Sequence, residues 1–185
     1  RPGDSVAVFG CGGVGLNGIQ GARIAGAARI IAVDLSERKL ALARELGATH
    51  TINGGEGNAV EQIFAITAGN GADVALECVG APVLMRQAYE SVRKLGKAVV
   101  VGVAPPDQEV ALNAFDLLKT GKSLCGHKAS GTHSGQFIAS LLEHYQAGRL
   151  DLDTLVSRTY GIEEVQQAVE DLLNNVNARG VIVFE

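Results

Sequence analysis

The sequence predicts an α/β fold: a doubly wound, six-stranded parallel sheet with helices on both faces, followed by a C-terminal α/β extension. Three observations predict it. Short runs of Val, Ile, Ala and Leu alternate with helix-like stretches over most of the chain. The runs are apolar throughout rather than every second residue, the pattern of parallel strands covered on both faces. A glycine-rich turn joins the first run to the first helix.

The elements follow in order. Ser5 to Gly10 reads as a strand, Gly13 to Gly26 as a helix, Arg29 to Asp34 as a second strand, and Ser36 to Leu46 as a helix closed by Gly47. Thr49 to Ile52 makes a short third strand. Ala59 to Ala68 is a helix ended by Gly69, and Ala72 to Glu77 is the fourth strand. Pro82 in the first turn and Gly96 beyond the end frame a helix over Pro82 to Leu95, with a strand from Ala98 to Val101. Past Gly102 the rhythm changes. Val103 to Asp107 is a loop, Glu109 to Leu112 a short strand, Ala114 to Lys119 a turn or two of helix, and Lys122 to Lys128 the sixth strand of the sheet.

The doubly wound unit therefore covers residues 1–128, and 129–185 form the extension. Within it, Phe137, Ile138, Leu141, Leu142 and Tyr145 share one helical face, and Ile162, Val165, Val169, Leu172 and Leu173 another. Both stripes read as core faces, part of whose core belongs to a piece outside this sequence. Leu155 to Tyr160 and Gly180 to Phe184 are strand-like. The chain begins Arg1-Pro2-Gly3-Asp4 without Met and reaches its first strand at once, as a domain cut from a longer protein would.

Composition narrows the function classes. With 185 residues the chain can bury a full core. A net charge of −4 and no cluster of Lys and Arg exclude nucleic acid as an expected partner. No apolar run is long enough to cross a bilayer and no leader opens the chain, so no membrane association and a cytoplasmic setting are expected. Cys11, Cys78 and Cys125 are odd in number and widely spaced, which fits neither a disulfide framework nor a metal motif. They read as small buried residues of a reducing compartment.

The informative motif is Gly10-Cys11-Gly12-Gly13-Val14-Gly15, between the strand Val6-Ala7-Val8-Phe9 and the first helix. Three glycines, Gly10, Gly12 and Gly15, meet three needs: a tight turn off the strand, close approach of backbone to pyrophosphate, and close packing of helix on strand. The helix beginning at Gly13 aims unpaired N–H groups and the positive end of its dipole at the phosphates. Asp34, nineteen residues beyond Gly15, ends the second strand, where it can accept hydrogen bonds from the adenosine ribose and repel a 2′-phosphate. The whole reads as a Rossmann dinucleotide site selecting NAD. A competing reading gives Asp34 a purely local role, starting a turn and helping Ser36 cap the next helix.

Other apparent motifs carry less. Gly121-Lys122-Ser123 imitates the end of a P-loop, but the required earlier glycine is Asp116 and the order of helix and strand is reversed. His50, His127, His133 and His144 lack metal-ligand spacing, and the stretch Ala129 to Thr132 reads as a surface loop. No acid/base pair or nucleophile constellation stands out.

The residues resemble the nucleotide-binding portion of the zinc-dependent alcohol dehydrogenases, in the medium-chain dehydrogenase/reductase superfamily. The resemblance runs through residues 2–15, Gly26 to Asp34, Leu46-Gly47-Ala48-Thr49, Asp73 to Gly80, Val100 to Val103, and the closing Ala178 to Phe184. It implies that Gly12, Gly13 and Val14 lie under the pyrophosphate, that Asp34 and Lys39 reach the adenosine ribose, and that Val79 packs near adenosine or ribose. It further implies that Val101, Gly102 and Val103 line the nicotinamide end and that Arg179 faces the pyrophosphate. A small alcohol or aldehyde would be the substrate of the full-length enzyme. Zinc, the proton relay and most of the substrate pocket would belong to an upstream domain, completed by residues from about 129 onward, so the isolated chain is expected to be inactive. The resemblance also implies a homodimer or tetramer through the edge strand 122–128. A zinc-free quinone or enoyl reductase, a polyol dehydrogenase, and a non-catalytic NAD-sensing module remain open alternatives.

Overall fold

A computed structural model of the chain describes residues 1–128, 134–174, 176–177 and 179–184; the expected loop at 129–132 and His133 lie outside the described residues. Six strands form one parallel sheet: β1 (Ser5–Phe9), β2 (Arg29–Asp34), β3 (His50–Asn53), β4 (Ala72–Glu77), β5 (Val92–Val100) and β6 (Ser123–Gly126). Their spatial order is β3-β2-β1-β4-β5-β6, and every pair is parallel. The helices between them are α1 (Gly13–Ile24), α2 (Glu37–Glu45), α3 (Ala59–Ile66), α4 (Pro82–Ser91) and α5 (Ala114–Thr120).

The unbroken apolar strands are explained by two cores. Val6, Val8, Ile30 and Ala32 point to the face covered by Leu16 and Ile19 of α1 and Leu40 of α2. The alternate residues Ala7, Phe9, Ile31 and Val33 point to the other face, against Ile63 of α3 and Ala88 and Tyr89 of α4. Caps sit where the sequence supplies oxygen: Ser36 accepts from Lys39 N–H, Asn58 from Val60 N–H, and Asn113 from Phe115 N–H.

Three expectations need correction. The helix expected over Pro82 to Leu95 stops at Ser91, because Val92 takes extended dihedrals and pairs with Ala72, so β5 begins well before Ala98. Leu95 then takes φ +61°, and the register shifts between Ala72 and Val74. Glu109 to Leu112 forms no strand: β5 pairs directly with β6, so the segment is not inserted between them, and Leu112 instead packs against the core that holds Ile63 and Tyr89. The third concerns the extension, which comprises α6 (Ser134–Gln146), β7 (Arg158–Tyr160), a single 3₁₀ turn (Ile162–Glu164), α7 (Val165–Leu173) and β8 (Gly180–Ile182). Its two helical stripes are not core faces within this chain: Phe137, Ile138, Leu142, Leu172 and Leu173 are all more than half exposed, because no layer of described residues covers them.

The extension is nevertheless anchored. Leu155 joins the core on the α1 face, and the fully buried Gln20 of α1 both donates to Asp151 O (2.8 Å) and accepts from Asp151 N–H (2.7 Å). β7 and β8 make a small parallel sheet of their own. Asp171 of α7 accepts from Tyr160 Oη, Gln167 and Arg158, and these bonds, that from Tyr160 foremost, hold its carboxyl below the usual carboxylate range.

Candidate functional site

In a sheet of this order the chain leaves β1 to one side and β4 to the other, which opens a crevice at their carboxyl ends. A cleft of about 520 Å³ lies there. It brings together four of the residues singled out in the sequence: Gly10 just after β1, Asp34 at the end of β2, Lys39 in the first turn of α2 and Val79 just after β4. Leu35 and Val83 add exposed apolar walls that sequence reasoning missed. Leu35 carried a signal, an apolar residue stranded between Asp34 and a helix cap.

The glycine turn is shaped as its chemistry requires. Gly10 takes φ +91°, and its N–H donates to Val33 O (2.8 Å). A Cβ on Gly15 would overlap the carbonyl oxygen of Gly10, so this glycine lets α1 sit tight on the turn. Gly12 is different: a Cβ there meets nothing within 4 Å, so the space above it is open. Gly12 is also the N-cap of α1, and no side chain caps the helix. The first-turn amides from Gly13, Val14 and Gly15 therefore point outward at the positive end of the dipole. An anion fits that place.

Asp34 stands beside the turn. Its Oδ2 accepts from Cys11 N–H (2.7 Å) and its Oδ1 from Ser36 N–H (3.0 Å), so it braces the glycine loop and starts α2. The local role weighed from sequence is real. A carboxylate offers about four lone-pair sites, so two backbone bonds leave acceptor capacity toward the cleft.

The opposite wall is made by the turns after β4 and β5. Val79 leans over Gly10 closely enough that a Cβ on Gly10 would strike its Cγ2. Gly80, at φ +91°, abuts Val103 and Gly102 backbone to backbone, with no room for a side chain on either glycine. Val101 and Gly102 donate N–H to Glu77 O at 2.8 and 2.9 Å, and Val103 is almost wholly exposed. Arg179 is exposed, it does not line the cleft, and its backbone bonds are with Ser157.

Neither thiol at the crevice is a nucleophile at neutral pH. Burial first, and then the neighbouring Asp34, pushes the Cys11 thiol up to about 12; burial and Glu77 do the same to Cys78, again to about 12. Among the described residues no three His, Cys, Asp or Glu side chains cluster to hold a metal ion, so the residues present do not fit zinc. Among them, too, no helix is long and apolar enough to cross a membrane.

Comparison with known proteins adds independent findings. The sequence pattern described as zinc-binding dehydrogenase matches residues 13–145. The chain is 36% identical to an S-(hydroxymethyl)glutathione dehydrogenase of Synechocystis sp., covering all of this chain and 50% of that protein. Among solved structures it superposes on benzyl alcohol dehydrogenase from Acinetobacter calcoaceticus with a TM-score of 0.96 at 34% identity, covering all of this chain and 51% of that one. It also matches a zinc-binding dehydrogenase of Sinorhizobium meliloti 1021 bound to NADP, at TM-score 0.84 and 29% identity, over 91% of this chain and 49% of that one. The chain thus spans about half the length of the relatives it matches.

Proposed function

Because the chain belongs to the zinc-binding dehydrogenase family, we propose that it is the NAD-binding portion of an alcohol dehydrogenase, with the dinucleotide lying in the crevice between β1 and β4. One observation carries the reading: the open space over Gly12, at the uncapped start of α1, with Asp34 alongside. The amides of Gly13 and Val14 hold the pyrophosphate, and the turn from Gly10 to Gly15 keeps side chains out of its path. Asp34 and Lys39 take the adenosine ribose, Val79 covers it, and Val101, Gly102 and Val103 line the nicotinamide end. Arg179 is assigned to the pyrophosphate on resemblance alone. Bound there, the nicotinamide supplies the acceptor or donor of a hydride.

The residues of this chain orient that group, and among the described ones no three His, Cys, Asp or Glu side chains gather to hold a metal ion. Oxidation of a small alcohol, or reduction of the aldehyde, is accordingly proposed for the whole protein, with zinc held by residues outside this sequence. The three free cysteines favour a reducing, cytoplasmic setting. The chain alone is expected to bind NADH and to turn over no alcohol. Calorimetry tests this directly: NADH should give a saturable heat, NADPH should bind at least about tenfold more weakly because its 2′-phosphate faces Asp34, and no heat from millimolar NADH would overturn the reading.

Self-association through β6 is part of the same proposal. β6 ends the sheet with an unpaired edge, and Phe115 and Leu118 of the adjoining α5 are exposed at 68% and 84%. Light scattering should find a dimer or tetramer, and a proline at Leu124 should return it to monomer; a monomer in the unaltered chain would refute this.

A further inference from the structure

The crevice owes its shape to a residue that does not itself line it. Glu77, the last residue of β4, is completely buried, an unusual place for a carboxyl group in a sheet of Val, Ile and Ala. Its Oε1 accepts from Val79 N–H at 2.9 Å and Gly80 N–H at 2.8 Å, with a longer contact to Ala81 N–H at 3.5 Å. Its backbone oxygen accepts from Val101 and Gly102 in the next turn. Its Oε2 is buried and has no partner among the described residues.

These bonds tie two turns together, and through Val79 they reach the glycine turn as well. Through Val79 the carboxyl group fixes the side chain that overhangs Gly10 and lines the cleft. Through Gly80 it presses the β4–α4 turn against Gly102 and Val103 of the β5–α5 turn, where the two backbones touch. Removal of the carboxyl group leaves the buried Gly80 amide and the partly buried Val79 amide without this acceptor and lets the turn swing away from both neighbours.

We propose that Glu77 is a positioning residue for the cofactor: it holds the β4–α4 turn closed over the crevice and so sets how long a bound dinucleotide stays. This inference rests on the dinucleotide reading above. It assigns Glu77 no contact with the ligand, since no atom of its side chain is exposed. Its effect should fall on the dissociation rate, because a loosened wall releases a ligand sooner without altering the charge that steers it in.

Stopped-flow measurement of NADH fluorescence is well suited, since the chain contains no Trp to contribute background. Glu77→Ala should raise the dissociation rate about tenfold or more while association stays within about twofold. Glu77→Gln keeps one oxygen for the Val79 and Gly80 amides, and its amide nitrogen replaces an oxygen with no partner among the described residues, so it should stay within about threefold of the unaltered chain. Glu77→Asp draws the carboxylate back by one methylene and should fall between the two, which keeps the test decisive if the alanine variant does not fold. Gln20→Ala, at a buried polar site whose bonds run to Asp151, controls for general loss of stability and should leave dissociation unchanged. NADH dissociation unaltered in Glu77→Ala and Glu77→Asp, or equally faster in Gln20→Ala, would overturn this inference alone. Absence of NADH binding by the unaltered chain would overturn the cofactor reading and take this inference with it.

Discussion

Two glycines three residues apart give the sharpest test of the site, because the structure assigns them opposite consequences. Gly12 has φ −77° and ψ −171°, dihedrals any residue adopts, and a Cβ there meets nothing within 4 Å. Gly12→Val should therefore fold. It costs only the poorer start it gives α1, about 0.5–1 kcal/mol, or a fall of a few degrees in melting temperature for a chain of this size. Binding should suffer far more. The valine fills the space in front of the first-turn amides, and displacing a phosphate from two charge-assisted hydrogen bonds forfeits about 3 kcal/mol or more, a loss of at least about a hundredfold in NADH affinity. Gly15→Ala has the reverse logic. Its Cβ would overlap the Gly10 carbonyl, so α1 must be pushed off the turn at an overpacking cost of about 1–3 kcal/mol. Stability and binding should fall together. Calorimetry with NADH alongside thermal unfolding separates the cases. A Gly12→Val variant that binds NADH within threefold of the unaltered chain would refute the claim that the open space is the phosphate path.

The remaining predictions concern charge. Asp34→Ala should lower NADH affinity and narrow the preference over NADPH, but part of that loss will come from freeing Cys11 N–H and Ser36 N–H; Asp34→Asn, which keeps an oxygen for one of those two amides, should show the narrowed preference with a smaller fall in affinity, and unchanged discrimination in both would defeat the ribose assignment. Asp73 is raised by burial but lowered more by Ser5 N–H, the Arg93 guanidinium and the Ser5 hydroxyl, leaving it at about 2 against an ordinary 3.8. The stabilisation from this depressed pKa is present above about pH 4 and is lost as pH falls towards 2, so Asp73→Asn should lower stability at pH 7 and flatten the acid limb of denaturant unfolding measured between pH 5 and 2.

The parts of the fold that were legible are those in which a local pattern is also a global one. β2 and β4 begin and end where the sequence places them, since a strand covered on both faces carries a near-continuous apolar run that the flanking turns delimit. The glycine turn was legible for a related reason: its chemistry demands the absence of side chains at fixed spacing, and absence is visible in a sequence. What was not legible depends on partners far along the chain. Nothing local says that Val92 pairs with Ala72, so a helical pattern ran on past Ser91 to the wrong end. Nothing local says that Glu109 to Leu112 stays out of the sheet, because the direct pairing of β5 with β6 leaves no gap between those strands for it.

The walls of the crevice belong to this second kind. Val79 and Val103 were singled out only by resemblance, and the reason they matter is the contact of Gly80 with Gly102, two residues whose sequence neighbours give no hint of each other. Glu77 did leave a trace, a carboxylate closing a buried strand just before Cys78-Val79-Gly80, and a rule that a buried charge must have partners would have asked where its bonds go. Asp34 shows the limit of choosing between a structural and a functional reading. Sequence set turn-former against ribose acceptor as alternatives, yet the carboxylate spends one oxygen on Cys11 and the other on Ser36 and still presents unused lone pairs to the cleft. The backbone bonds are what fix it there, so the local role is the means by which the proposed one is held in place.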